Sequence, residues 1–292
     1  MNKHFKVIDV FTDVPFKGNP VAVVFDADGL SGDQMQGIAN WTNLSETTFV
    51  MRPTSPEADY KVRIFSPTVE LPFAGHPTIG VAHAVLETGI CSARNGQLVQ
   101  ECGVGLVKLK VNETDPIGRS IFFDLPAAAF NTLGDQDFEA VTDILGIPRS
   151  SILHAEWVSV GPSFIVVQLP TADQTLQLQP KLDMLWEFSK AMGIVGFVVF
   201  GLHTDRPDAT IESRAFFPIL GINEDPVCGS GNGAIAAFIH KTGQTETFGR
   251  SYVSTQGVMV GRAGRISVNI GTDGAVQIGG QSMTCLDGTI NT

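Results

Sequence analysis

Residues Glu224–Gly243 read "EDPVCGSGNGAIAAFIHKTG", and residues Glu70–Gly89 read "ELPFAGHPTIGVAHAVLETG". Each starts with an acid, reaches a proline two residues on, passes a glycine-bearing turn and continues as an apolar run ending in Thr-Gly. Overlaid without a gap at an offset of 154 residues, they agree at six of twenty positions: Glu70/Glu224, Pro72/Pro226, Gly75/Gly229, Ala82/Ala236, Thr88/Thr242 and Gly89/Gly243. Just upstream, "RIFSP" (Arg63–Pro67) parallels "RAFFP" (Arg214–Pro218) at a slightly smaller offset that a short loop insertion absorbs. A helix with no polar face belongs in a core. The expected fold is therefore α+β, with two pseudo-symmetric halves, each a mostly antiparallel sheet wrapped around a central apolar helix. The halves are expected at residues 1–117 and 118–292, joined near "NETDPIGRS" (Asn112–Ser120), the last strand being free to return to the first half. The alternative is a single α/β domain whose two glycine loops coincide.

Local patterns agree with this division. "HFKVIDVFT", "NPVAVVFDA", "ETTFVMR" and "YKVRIFS" have strand composition, and "SGDQMQGIANWT" has a Ser/Gly/Asp start with helical spacing. "PTIGVAHAVLETG" reads as a helix with Pro77 in the first turn, where its missing N–H costs nothing, and Gly89 as the stop.

With 292 residues, 43% of them hydrophobic and 17% charged, the chain buries a large core and has no disordered tract. Its 30 acidic residues against 19 Lys plus Arg give a formal charge of −11, which repels phosphate backbones and anionic membranes and argues against a nucleic-acid role. Neither a signal peptide nor a membrane span is legible, so the expected location is cytoplasmic. Cys91, Cys102, Cys228 and Cys285 lie far apart without a C-x-x-C pair, which favours free thiols over a zinc ribbon or a disulfide framework.

Function is sought where the two halves differ. In each, a strand feeds a glycine turn that opens a helix, so free backbone N–H groups and the positive end of the helix dipole point out of the turn and suit a carboxylate. If the halves face one another, both turns can serve one substrate; capping and packing alone would also explain either loop. At matched positions the first half has Leu71, Ala74 and His76 where the second has Asp225, Cys228 and Ser230. Glu46 opens a strand in a stretch otherwise free of charge from Trp41 to Val50, and its approximate counterpart falls in the apolar run "GIVGFVVF" (Gly193–Phe200). It reads either as a capping or surface acid, or as a general acid/base of the kind that apolar surroundings tune. His83 and His240 on the apolar helices read as core or end residues, and "GRAGR" around Arg262 and Arg265 as a solvated turn. No P-loop, dinucleotide fingerprint or H-E-x-x-H motif is present.

"GNPVAVVFDADGLS" (Gly18–Ser31), "NLSETTFV" (Asn43–Val50), "ELPFAGHPTIG" (Glu70–Gly80) and "EDPVCGSG" (Glu224–Gly231), in this order and spacing, closely resemble the PhzF-like phenazine-biosynthesis isomerase family. That resemblance implies a diaminopimelate epimerase-like fold with its site between two pseudo-symmetric halves, no cofactor and no metal, a small carboxylate-bearing substrate, and allows a homodimer. It implies that Glu46 shuttles a proton between substrate carbons while His76 and Asp225 bind or assist. Gly75, Gly229 and Ser230 would cradle a carboxylate, and Asn19 would line the same cleft.

One position departs from the family. Where its usual pattern is closer to "DPVTGSA", this chain has "DPVCGSG", and a Cys before the second turn is what the related epimerases use. A two-thiol epimerase is excluded, because the matched first-half residue is Ala74. Two roles stay open for Cys228: a small substrate-lining bystander, or an acid/base paired with Glu46 or His76. Three functions follow: a cofactor-independent isomerase that shifts a proton and a double bond, an amino-acid epimerase or racemase using Cys228, and a non-catalytic carboxylate-binding protein.

Overall fold

The computed structural model describes residues 2–113 and 118–292. Two compact units emerge, Met1–Asp124 with Gly279–Thr292, and Leu125–Ile278. The join expected at 117/118 borders residues 114–117, which lie outside the described residues, and the two units divide at Asp124/Leu125.

Unit 1 contains strands β1 (Asn2–Val10) and β2 (Asn19–Val24), helix α1 (Gly32–Thr42), and strands β3 (Thr47–Met51), β4 (Tyr60–Phe65) and β5 (Glu70–Leu71). Helix α2 (Gly75–Glu87) follows, then β6 (Gln97–Cys102), β7 (Gly105–Asn112) and β8 (Ser120–Asp124). Unit 2 opens with β9 (Ala129–Thr132), α3 (Asp135–Leu145), β10 (His154–Ser159), β11 (Ser163–Thr171), α4 (Ala172–Gln177) and α5 (Leu182–Met192). It continues with β12 (Gly196–Leu202), β13 (Ile211–Phe217), β14 (Ile222–Asp225), α6 (Gly229–Lys241), α7 (Thr245–Phe248), β15 (Ser251–Gln256) and β16 (Gly264–Ile270). The last strand, β17 (Val276–Asn291), crosses back into unit 1, where its register against β1 runs from Asn2↔Asn291 to Val10↔Ser282 with one bulge.

The repeat extends through the pairing. In unit 1, β2 and β3 are parallel across α1, β3 and β4 antiparallel, and β4 runs parallel to β6 across α2. In unit 2, β11 and β12 are parallel, β12 and β13 antiparallel, and β13 runs parallel to β15 across α6. Both parallel crossovers over the central helix use equivalent residues, Tyr60↔Gln100 and Ile211↔Ser254. Even the ion pairs repeat. Arg63 grips Glu70 through Nε and Nη2 at 2.7 and 2.7 Å, and Arg214 grips Glu224 through the same atoms at 2.9 and 2.8 Å.

Both central helices lack a polar face, as their composition requires. Nine of thirteen residues of α2 and ten of thirteen of α6 are buried, so sheet covers each helix on nearly every side. Fully buried Ile79, Val81 and Val85 each contribute about 1.5–3 kcal/mol of apolar transfer free energy. The helices also need small residues. A Cβ on Gly80 would lie 2.4 Å from Val21 of β2, and one on Gly231 would lie 3.1 Å from Val198 of β12. Helix α1 starts as its sequence predicts, with Ser31 and Gln34 forming a reciprocal capping box. All four cysteines are free thiols, and no helix among the described residues is long and apolar enough to cross a membrane.

Candidate active site

In unit 1, the end of α1 and the start of β3 deliver Glu46. The helix stops at Asn43 in the left-handed conformation, and the Glu46 carbonyl accepts from the Ala22 N–H as β3 joins β2. Its side chain, 16% exposed, brings Oε2 within 3.3 Å of Nε2 of His76, close but not aligned as a hydrogen bond. His76 is the second residue of α2 and is buried. Burial pushes its pKa down to about 3, against one hydrogen bond to the Pro20 carbonyl, so the ring is neutral at ordinary pH. Because Nε2 lacks a hydrogen-bond partner, the donor to Pro20 is Nδ1–H, which leaves the unprotonated Nε2 3.3 Å from the Glu46 carboxyl. A proton carried by Glu46 thus has an acceptor beside it. Asn19, fully buried, opens β2 one residue before Pro20.

The strand register explains why only one half carries this acid. Thr47 pairs with Phe65 as Phe197 pairs with Phe216, so the counterpart of Glu46 is Gly196. A Cβ there would lie 2.0 Å from the Phe216 carbonyl oxygen, leaving no space for a side chain.

In unit 2, β14 ends at Asp225 and α6 begins at Gly229, so the reactive residues occupy one tight turn. The Asp225 Oδ1 accepts from the Val227 N–H at 3.0 Å. Asp225 retains some exposed surface yet is densely surrounded; burial pushes its pKa up to about 6, opposed by the Val227 hydrogen bond and reinforced by Glu224. Cys228 is the N-cap of α6, only 6% exposed, with Sγ accepting from Gly231 N–H at 3.2 Å and standing 3.6 Å from Ser230 Oγ. Its thiol thus does what a hydroxyl does at an ordinary N-cap.

The first-turn N–H groups of Gly75 and His76 match those of Gly229 and Ser230 by position in the repeat. Ala74, the N-cap of α2, offers no side-chain acceptor. Gly75 also has a packing reason, since a Cβ there would lie 2.7 Å from the Phe123 ring. Within unit 1 the structure therefore brings Glu46 and His76 together, and within unit 2 Asp225, Cys228, Gly229 and Ser230. Sequence reasoning missed the Pro20 carbonyl that fixes the His76 tautomer, and Gln256 and Asn232, which hydrogen-bond the Asp225–Cys228 turn. Continuing the 154-residue overlay would have flagged both amides, because Asn232 faces Thr78 and Gln256 faces Cys102.

The family model described as phenazine biosynthesis-like protein matches residues 8–288. The chain belongs to the phenazine biosynthesis-like family. It is 43% identical over 296 residues to antisense-enhancing sequence 1 of Schizosaccharomyces pombe, covering 99% of each chain. It is 37% identical over 259 residues to the trans-2,3-dihydro-3-hydroxyanthranilate isomerase of Pseudomonas chlororaphis, covering 89% of this chain and 87% of that one. The crystal structure of a Bacillus anthracis phenazine biosynthesis protein of the PhzF family superposes with a TM-score of 0.86 at 23% identity over all of both chains, a likeness of fold. Phenazine biosynthesis-like chains thus share this α+β architecture, and relatives in the family are named isomerases.

Proposed function

We propose that this protein is a cofactor-independent isomerase that moves a proton, and with it a double bond, on a small carboxylate. The observation that carries the reading is the Glu46–His76 pair: a largely buried carboxyl 3.3 Å from an imidazole that burial keeps neutral. Glu46 takes a proton from one substrate carbon and returns it to another, and Nε2 of His76 accepts a hydrogen bond from the protonated intermediate form. While Glu46 holds the proton, the 16% of its side chain that remains exposed lets it exchange in part with water, so solvent deuterium reaches the substrate carbon. Within unit 2, the N–H groups of Gly229 and Ser230 at the α6 N-terminus suit a carboxylate, with Asp225 beside them on the same turn. The test is a screen of small cyclic and amino-acid carboxylates, beginning with trans-2,3-dihydro-3-hydroxyanthranilate, for deuterium incorporation from D2O at a substrate carbon. No exchange with any of them, alongside measurable binding, would return the protein to a carboxylate-binding role.

Cys228 is read as a bystander in this chemistry. Cys228→Ser keeps an N-cap acceptor for the Gly231 N–H, so it is expected to retain at least about a third of wild-type turnover. If the thiol were the second acid/base of an epimerase, Ser would bind ligand normally and lose exchange, because a hydroxyl is a far weaker base than a thiolate. Stereochemical analysis of the exchanged carbon separates the two outcomes.

Asp225 should display the cost of a functional acid. Its folded pKa, about 6, lies above the ordinary 3.8, so the stability it contributes is complete below pH 3.8 and is lost as pH rises through 6. Asp225→Asn avoids that loss while keeping an acceptor for the Val227 N–H. The shift sets an upper bound of about 3 kcal/mol, which partial exposure reduces to roughly 1–2 kcal/mol. Urea unfolding is therefore expected to find the variant more stable than wild type at pH 7.5 and equal to it near pH 4. Activity should fall at the same time. A destabilised Asp225→Asn at pH 7.5 would contradict the assignment.

A further inference from the structure

The buried amide of Gln256 is the hub of the turn that carries Asp225. It sits at the end of β15, 1% exposed, opposite Ser213 in the parallel pairing with β13. Its Oε1 accepts from the Cys228 N–H at 3.0 Å, from Asn232 Nδ2 at 3.0 Å and from Ser213 Oγ at 3.3 Å, and its Nε2 donates to the Asp225 carbonyl at 2.9 Å. A backbone donor at one end and a backbone acceptor at the other leave only one orientation for the amide. Asn232, fully buried, closes the figure by donating to the Cys228 carbonyl at 3.0 Å. One side chain therefore joins the first and last residues of the Asp225–Cys228 turn, and a second locks that side chain.

The other half of the molecule is an internal control. The place of the turn is the same in both halves: a Cβ on Gly257 would lie 2.4 Å from the Pro226 carbonyl oxygen, and one on Gly103, 154 residues earlier, would lie 2.7 Å from Pro72 Cα. Yet the first half puts Cys102 where the second has Gln256, and Thr78, bonded to Gln100, where the second has Asn232. The same half has Leu71 for Asp225 and Ala74 for Cys228. The first half's own buried amide, Gln100, bonds Tyr60 and Thr78, and amides at the two matched positions occur only in the half whose turn carries an acid and a thiol.

We propose that Gln256, locked by Asn232, is a positioning residue that holds the Asp225 carboxyl in its working geometry by tying the Asp225 carbonyl to the Cys228 N–H. The role of Asp225 in turnover rests on the isomerase reading; the tie itself does not. Charged or titratable groups around the Asp225 turn include Glu224 and Cys228 on the turn itself, Arg214 of β13 through Glu224, and Arg262, whose Cβ and the Pro226 carbonyl both flank Gly257; β15 presents uncharged Gln256, and α6 uncharged Ser230 and Asn232.

The decisive variant is Gln256→Glu. Protonated, the new carboxyl supplies the same donor and acceptor as the amide. Ionised, it loses the donor to the Asp225 carbonyl and places a negative charge beside the turn. In protein labelled with 13C at the Asp carboxyl carbons, the Asp225 resonance, assigned by its loss in Asp225→Asn, should titrate higher in Gln256→Glu than in wild type by about one pH unit or more. Deuterium exchange should lie within about threefold of wild type at pH 5.5 and fall at least about tenfold further than wild type by pH 8. Because the new charge by itself also raises the Asp225 titration, the uncharged Asn232→Thr carries the distinction from a merely structural role, which would lower activity evenly and leave the Asp225 titration in place. Asn232→Thr, which installs the first half's residue, guards against misfolding of the first variant; it should broaden or shift the Asp225 resonance and slow exchange about tenfold with the near-ultraviolet circular dichroism retained. An Asp225 resonance that titrates identically in wild type and both folded variants overturns the proposal. A wild type that exchanges no carboxylate, with the resonance still moving, would instead overturn the isomerase reading and leave the tie standing.

Discussion

Glu46→Gln should lower turnover by roughly 10²–10⁴-fold, the usual worth of a positioned general acid/base, while ligand affinity stays within about tenfold. Gln keeps the length and planarity of the side chain, and its amide can still donate to Nε2 of His76 across the present 3.3 Å approach. What it removes is the transferable proton. No other carboxylate takes over by symmetry, because the equivalent place in unit 2 is Gly196, whose Cβ position is filled by the Phe216 carbonyl. Pre-steady-state and D2O-exchange measurements check the result together. Wild-type exchange at the substrate carbon in Glu46→Gln would remove Glu46 from the mechanism even if overall turnover fell for another reason.

Arg214→Met is expected to cost about 3–5 kcal/mol of stability, the range seen when one member of a buried ion pair is removed. Arg214 has 5% of its side chain exposed and Glu224 11%. Besides its two bonds to Glu224, Arg214 donates through Nη1 to the carbonyls of Thr175, Leu176 and Leu178 at 3.1, 3.2 and 2.8 Å. Those carbonyls lie at the C-terminal end of α4, where a cation also favours the helix dipole. Its loss strands a largely buried carboxylate and several acceptors at once. The equivalent Arg63–Glu70 fork has 29% and 44% of its side chains exposed, so water replaces the partner and Arg63→Met should cost about 0–1 kcal/mol. Urea-unfolding midpoints of the two variants read the contrast directly. The double change Arg214→Met with Glu224→Leu should recover the part of the loss owed to the stranded carboxylate and leave the part owed to the carbonyls of Thr175, Leu176 and Leu178. Equal costs for the two single variants would show that burial does not set the value of these forks.

Much of the fold was legible because the signals are local or repetitive. The strands from "HFKVIDVFT" to "YKVRIFS" appear as β1 to β4, and the apolar runs after Pro77 and Gly229 are buried central helices. Burial demands an apolar residue at each inward place, and a duplicated chain makes that demand twice at one offset. The candidate set Glu46, His76, Asp225, Cys228 and Ser230 stands out in the sequence for the opposite reason: these are places where the duplication is broken by reactive side chains. The single clearest case is Glu46, a lone charge in ten residues whose counterpart the fold reduces to glycine.

The sequence by itself determined two things: that two similar helix-centred halves exist, and that acid, imidazole and thiol are distributed unequally over them. Only the tertiary structure decided how those groups behave. It set the His76 pKa near 3 by burial and left Nε2 unprotonated beside Glu46 by giving Nδ1–H to the Pro20 carbonyl, 56 positions away in the chain. It also brought Gln256 to the Asp225 turn through the parallel pairing of β13 with β15, and buried one Arg–Glu fork while leaving its twin in water. Composition records which groups a chain has. Desolvation and hydrogen-bond direction depend on neighbours supplied by distant segments, so they come into being only when the strands take their register.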